Sequence, residues 1–249
     1  MFSFFKKKIS ETDIPDHLPV STDIHSHILP GIDDGSPDVE TSLQLIKGLY
    51  NLGIRKSIAT PHIIGDMYRN TPETINTALA KIKEACIKED INMEISAAAE
   101  YMLDDYFIEL LQKKEPLLTL HKNILLTEIS YTSTPENLEE ITSNIISQGY
   151  KPILAHPERY HFYQNNFEHY FLLKEMGFHL QVNLLSLTGY YGKRAIKAAK
   201  FILERDLVSL VGTDLHHQQH LNALNNSKNR AIFQFYLGNK MLNDLDTIV

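Results

Sequence analysis

The sequence predicts a single parallel α/β domain of seven strand–helix units, close to a closed (β/α) barrel. Three observations carry that expectation. From Ser21 onward, short runs rich in β-branched residues alternate with helical patterns, as in parallel strands joined by crossover helices. No G-x-G-x-x-G follows the first strand, so the dinucleotide fingerprint of the alternative, an open doubly wound sheet, is missing. No Gly/Ser linker or low-complexity stretch divides the chain, and seven units fall one short of the usual eight.

Residues 1–19 read as an N-terminal arm. Phe2, Phe4 and Phe5 precede Lys6, Lys7 and Lys8, a tip suited to peripheral contact with an anionic membrane, where each lysine adds about 1 kcal/mol. The plainer alternative is a frayed chain end. Strands are expected at 21–27, 54–62, 91–100, 123–130, 151–159, 178–186 and 207–216. Helices are expected at 37–52, 72–90, 103–114, 135–148, 166–177 and 192–205, with one or two closing helices in 221–249. Val39, Leu43, Ile46 and Tyr50 put one apolar stripe on the first helix. Ser36-Pro37, Thr71-Pro72 and Thr134-Pro135 each offer a hydroxyl cap followed by proline at the first helical position, where no N–H is needed. Gly53, Gly149 and Gly177 mark helix ends.

Composition narrows the function classes. With 249 residues, 43 % hydrophobic and 22 % charged, the chain can bury a sizeable core and is not a disordered type. A net charge of −7 argues against general nucleic-acid binding, which needs a basic face. Cys86 stands alone, which excludes a disulfide framework within the chain and suits a reducing compartment. The start is not built like a signal peptide and no apolar run reaches membrane-spanning length, so a cytoplasmic protein is expected. Twelve histidines in a chain without tryptophan direct attention to metal or acid–base chemistry.

In a (β/α) barrel the active site lies at the C-terminal ends of the strands. The first strand ends in Asp23-Ile24-His25-Ser26-His27, and Asp33-Asp34 follow in its loop. The next four end in His62, Glu100, Glu128 and His156, and the seventh ends in Asp214-Leu215-His216. His25 and His27, two apart on a strand, can turn both imidazoles toward one ion. Singly, each of these is more often an ordinary polar residue than a ligand. Together, unpartnered carboxylates and imidazoles at one rim would cost more than folding can spare unless cations are present. Mixed N/O donors without a thiolate suit Mn, Fe or Zn.

The series DIHSHILPGIDDG, TPH, AAE, LTEIS, LAHPERY and TDLH resembles the polymerase-and-histidinol-phosphatase (PHP) superfamily. Within it, the chain is similar to the bacterial manganese-dependent protein-tyrosine phosphatases of capsule and exopolysaccharide operons. The resemblance runs in order from about Ser21 to His216 and implies a distorted (β/α)7 TIM-like barrel over 20–249. It also implies three divalent metal ions, manganese first and Fe or Zn as alternatives. The ligands carried over are His25, His27, Asp34, His62, Glu100, Glu128, His156, Asp214 and His216, with Glu100 bridging two ions and Asp33 behind the ligands. The residues alone do not choose between Asp33 and Asp34. The implied reaction is hydrolysis of phosphotyrosine, on the tyrosine-rich tail of a phosphorylated bacterial tyrosine kinase, by a water ionised between the metals.

Arg159 in HPERY is the expected catalytic arginine, able to fork onto phosphate oxygens; a surface pair with Glu158 is its structural alternative. Members of the family usually carry a second arginine after the closing D-x-H, but here the chain reads LHHQQHLNALNNSKNR. His217 and His220 are the substrate-contact candidates in its place, or Lys228 if its loop folds back. Asn183 lies on the one inner strand that offers no ligand. Two other functions fit the same residues: a histidinol-phosphatase-like enzyme for small phosphomonoesters, and a catalytically weak regulator that only holds phosphotyrosine. Loading three divalent ions would bring the formal charge from −7 to about −1.

Overall fold

The β-branched runs pair as parallel ladders, two of them interrupted where a ladder hydrogen bond cannot form. In this computed structural model, residues 14–238, 240 and 242–248 are described. The strands are β1 (Thr22–Asp23), β2 (Lys56–Ala59), β3 (His62–Ile63), β4 (Glu94–Ala97), β5 (Glu100–Met102), β6 (Ile124–Glu128), β7 (Lys151–Ala155), β8 (His179–Asn183) and β9 (Val208–Gly212). They form a sheet of order β1-β2-β4 and a second of order β3-β5-β6-β7-β8-β9. All pairings between them are parallel.

The strands expected at 54–62 and 91–100 are each split in two. Pro61 has no N–H to give a ladder, and the neighbouring segment breaks opposite it at Ala98 and Ala99. Backbone bonds carry the chain across: Thr60 N–H to Ser26 O at 2.8 Å, Ala98 N–H to Ala59 O at 2.8 Å and Glu100 N–H to Pro61 O at 3.1 Å. Beyond the break, His62 and Glu100 sit side by side in register. The last residues of 151–159 and 178–186 are not strand but short 3₁₀ turns, Pro157–Arg159 and Leu184–Thr188. A parallel bridge joins Ser26 to Leu215, so the first and last strand segments touch.

Helices α1 (Val39–Asn51), α2 (Pro72–Lys88), α3 (Asp105–Lys113), α4 (Leu138–Ser147), α5 (Glu168–Glu175) and α6 (Gly192–Glu204) follow strands, and α7 (Gln218–Asn225) and α8 (Ser227–Leu237) close the chain. Of the three expected caps only Thr71 is one; its side chain accepts from Thr74 N–H and Pro72 opens α2. Asp38 caps α1 instead of Ser36, accepting from Thr41 N–H at 2.8 Å, because Ser36 is tied into the site loop by its N–H to His27 O. Asn137 precedes α4 without a side-chain cap, while Thr134 accepts from the Tyr163 hydroxyl at 3.3 Å. Gly53, Gly149 and Gly177 all have the left-handed φ of a helix terminator.

Two apolar clusters follow. The larger lies between sheets and helices, and the smaller includes Ile24, Ile58, Ala98, Leu126, Ile153 and Leu210, drawn from strand segment after strand segment. β8 gives only to the larger cluster, through Leu180 and Val182; its alternate residues Gln181 and Asn183 are buried polar groups. The result is a mixed α/β domain with parallel sheets. Within 14–19, Leu18 is buried, its N–H bonds Leu52 O, and Pro15 O accepts from Arg230. The Phe/Lys tip of the expected arm falls outside the described residues.

Close approach of side chains to the Gly212 backbone sets up the site. A Cβ on Gly212 would stand 2.7 Å from the His25 Cβ and 3.0 Å from Gln181 Nε2, closer than packed atoms come. Gly212→Ala should therefore lose about 1–3 kcal/mol of stability by overpacking, measured as a lower urea midpoint with an unchanged slope.

Candidate metal centre

The nine residues expected to hold metal arrive on different elements but meet at one end of the sheets. His25 and His27 follow β1, Asp34 lies in the next loop, and His62 and Glu100 open β3 and β5. Glu128 ends β6, His156 follows β7, and Asp214 and His216 follow β9. His156 and Asp214 adopt positive φ, 37° and 51°, which costs non-glycine residues of order 1–3 kcal/mol each.

Three overlapping groups have all their donor atoms within 4.8 Å of one another: His25, His27 and Glu100; His62, Glu100 and Glu128; and His27, Asp34, His62 and His216. His156 Nε2 lies 3.0 Å from Glu100 Oε1, and Asp214 Oδ1 lies 3.4 Å from His25 Nε2. Asp33 stands behind this array. Its Oδ2 accepts from His27 Nδ1–H at 2.7 Å and from His62 N–H at 3.2 Å, and its Oδ1 from Gly35 N–H at 3.0 Å.

The donor atoms aim at common points and not at one another. Both oxygens of Glu100, Oε1 of Glu128 and Nδ1 of His62 are buried without a hydrogen-bond partner, although N···O separations around them are as short as 2.9 Å. His25 Nδ1–H donates to Gln181 Oε1 at 2.7 Å as His27 Nδ1–H does to Asp33. Both imidazoles thereby turn a bare Nε2 toward the same place, 3.3 Å apart. Facing lone pairs and orphaned carboxylate oxygens are costly without a cation between them, so the residues fit a divalent metal.

With protons as the only cations, the same closeness shifts the titrations. Burial and His62 oppose charge on His27, yet Asp33 and Glu100 outweigh them and raise its pKa to about 10. His62, despite burial, is raised well above its ordinary value by Glu100 and Glu128. Glu100 is pulled well below the carboxylate range against its burial by His25, His62 and His156. The His216 imidazole holds Asp34 at about 2. Asp214 is depressed, against burial, by His25, His216 and Arg159.

Above the array is a cavity of about 250 Å³, whose lining includes Asp34, His62, Glu128, Tyr131, His156 and Arg159. Arg159 does not pair with Glu158; it donates to Asp214 Oδ2 at 2.6 Å. Glu158 is fully buried and accepts instead from Asn183 N–H at 2.9 Å and from the Ser186 hydroxyl at 2.6 Å. The Arg159 guanidinium lies 4.3 Å from the Tyr191 ring centre and 5.0 Å from that of Tyr131. His217 and His220 line the cavity as well. Their Nδ1 atoms accept from the backbone, from His220 N–H at 3.4 Å and His216 N–H at 3.3 Å respectively. Lys228 lines a different hollow, with Ile14, Asp16 and Arg230, because α8 carries it away. Tyr131, Tyr191 and Gln181 went unnoticed in the sequence; only for Gln181 was there a signal, its i, i+2 spacing to Asn183.

A parallel α/β domain with histidine–carboxylate clusters at its strand ends is built as a metal-dependent enzyme. The family model "Capsular polysaccharide synthesis, CpsB/CapC" matches residues 21–244, and the chain belongs to that family. It is 32 % identical over 202 residues to the tyrosine-protein phosphatase CpsB of Streptococcus pneumoniae, covering 78 % of this chain and 82 % of that one. It is 30 % identical over 200 residues to the tyrosine-protein phosphatase YwqE of Bacillus subtilis, covering 80 % and 79 %. A solved structure from work on YwqE and CpsB, described as "unique metal-dependent tyrosine phosphatases", superimposes with a TM-score of 0.78 at 28 % identity, covering 88 % of each chain.

The titrations give a signed pH dependence in chelator. His27 moves from 6.5 unfolded to about 10 folded, so its stabilisation is complete below about pH 6.5 and is lost as pH rises through 10. Asp34 moves from 3.8 to about 2, so its share is complete above about pH 3.8 and is lost as pH falls toward 2. Thermal unfolding in chelator should show Tm declining from pH 6.5 to 10. With Mn²⁺ the decline should shrink, since the deprotonated imidazole binds metal. A flat Tm in chelator would contradict the assignment.

Proposed function

We propose that this chain is a metal-dependent tyrosine-protein phosphatase acting on the phosphorylated tail of a bacterial tyrosine kinase in capsule synthesis. The observation that carries the reading is the set of buried, partnerless carboxylate and imidazole atoms beneath a cavity with one arginine in its wall. Nine ligands, His25, His27, Asp34, His62, Glu100, Glu128, His156, Asp214 and His216, would hold three divalent ions, with manganese as the working metal. Three overlapping donor groups support that number, and Glu100, a carboxylate with both oxygens buried and without a partner, would be the bridging ligand. The seven strand segments close as a distorted (β/α)7 barrel over 20–249, a reading supported by the Ser26–Leu215 bridge and the inner apolar cluster. A cytoplasmic setting matches a kinase tail as substrate. Among the described residues no helix is long and apolar enough to cross a membrane. The arm, 1–19, with its Phe2–Lys8 tip, is the segment whose composition suits contact with a membrane or partner.

When bound, the metals supply Lewis acidity at phosphorus and lower the pKa of bound water. The protein's own residues then bind and orient. Arg159, set over the Tyr131 and Tyr191 rings, presents N–H groups beside Asp214 to the phosphate oxygens. His217 and His220 accept backbone bonds at Nδ1, so each neutral ring carries its proton on Nε2 and can donate it to a phosphate oxygen. A cavity of about 250 Å³ is below the ~300–1,000 Å³ usual for small-molecule sites, which suits one protruding aryl phosphate. The Tyr131 ring offers that aryl group an apolar wall. The leaving phenolate, with a pKa of about 10, needs less protonation than an alkoxide would.

Manganese-loaded protein should release phosphate from p-nitrophenyl phosphate and phosphotyrosine peptides, and chelator should stop it reversibly. Histidinol phosphate should be turned over far more slowly than peptide. Arg159→Lys should lower kcat/KM by about 10–100-fold, because a point charge cannot fork onto two oxygens, with metal content unchanged. Loaded protein that binds phosphotyrosine peptide tightly yet releases no phosphate would establish the regulator instead.

A further inference from the structure

Strand β8 brings no ligand to the site, and its two inward residues are both amides. Gln181 and Asn183 are each fully buried, as are their partners His25 and Asp214, to within 1 % exposure. His25 Nδ1–H donates to Gln181 Oε1 at 2.7 Å, Gln181 Nε2–H to Asn183 Oδ1 at 2.9 Å, and Asn183 Nδ2–H to Asp214 Oδ2 at 2.7 Å. Asp214 also takes the Arg159 bond on that oxygen, and its Oδ1 lies 3.4 Å from His25 Nε2. The chain of bonds therefore leaves His25 at one nitrogen and returns to face the other.

We propose that Gln181 and Asn183 are positioning residues, a one-way hydrogen-bond relay that fixes the His25 tautomer and leaves Asp214 Oδ1 free for the metal. The inference rests on the reading of His25 and Asp214 as ligands. Its direction is set at one end. An ionised carboxylate only accepts, so Asn183 must present its NH₂ to Asp214. Its carbonyl is then left for Gln181, which must present NH₂ to Asn183 and carbonyl to His25. That carbonyl in turn requires the His25 proton on Nδ1 and a bare Nε2. Turning either amide over would set acceptor against acceptor or donor against donor in a site without solvent, where such a group is costly to leave unmet.

The relay also makes the two imidazoles of the H-x-H pair unequal. His27 backs onto the Asp33 carboxylate and His25 onto a neutral amide. A carboxylate behind a ligand histidine raises its basicity more than a carbonyl does. Packing leaves little freedom: the Gln181 amide has the Gly212 backbone against it, at a distance that leaves no room for a Cβ.

The test uses Zn²⁺, which is diamagnetic, with the full chain. Long-range ¹H–¹⁵N NMR of the loaded protein should show His25 protonated at Nδ1. Competition against a chromophoric chelator should show Gln181→Leu and Asn183→Leu weakening zinc binding by about 10–100-fold, with far-UV circular dichroism unchanged. Unmodified protein with the His25 proton on Nε2 would overturn the relay without any variant, even if the leucine variants do not fold. Equal zinc affinity in folded Gln181→Leu and Asn183→Leu would overturn it too. An unmodified chain that binds no zinc overturns the metal-centre reading, and the relay with it.

Discussion

The constraint on which the rest depends is the burial of Glu100. Its carboxylate is wholly inside the protein, with no hydrogen bond to either oxygen, and four imidazoles come within 3.0–3.4 Å of it. A lone buried carboxylate costs several kcal/mol, so the group is stable only with positive charge between it and its neighbours. The surrounding strands are arranged to bring that charge in. The break at Pro61 sets His62 beside Glu100 in register, and the loop through Asp33 turns His27 toward the same point.

Holding donors in this way has a cost in backbone conformation. His156 and Asp214 take left-handed φ values that side chains disfavour. Both are pinned from behind: Asp214 by Arg159 and Asn183, and the turn after His156 by Glu158, which anchors the end of β8. The site is thus rigid through its supports. Arg159 serves both sides, as a clamp on Asp214 and as the cation in the cavity wall, with two tyrosine rings holding it.

Membership in the family that includes the CpsB relatives and this geometry point to one chemistry. At the cavity edge stand His217 and His220. The His217 ring is tied to the α7 backbone at His220 N–H and the His220 ring to His216 N–H, which gives them fixed donors and little reach. Lys228 is carried off by α8 to another face, so positive charge at that edge rests on Arg159.

Much of this was legible along the chain, because alternation in strands is local and places chemistry-bearing residues at strand ends whatever the packing. Parallel pairing, helix ends at Gly53, Gly149 and Gly177, the Thr71 cap and the candidate set from His25 to His216 all follow from spacing. Ser36 and Thr134 do not cap because the Ser36 N–H and the Thr134 hydroxyl serve distant partners, His27 and Tyr163, that no local pattern contains. The choice that set Asp34 among the imidazoles and Asp33 behind His27, the two tyrosines around Arg159 and the Gln181–Asn183 amides belong to the same category. The sequence by itself determined which residues could meet a metal. Only the tertiary structure decided which atoms turn toward it, since a proton's place on an imidazole is set by a partner up to 156 residues away.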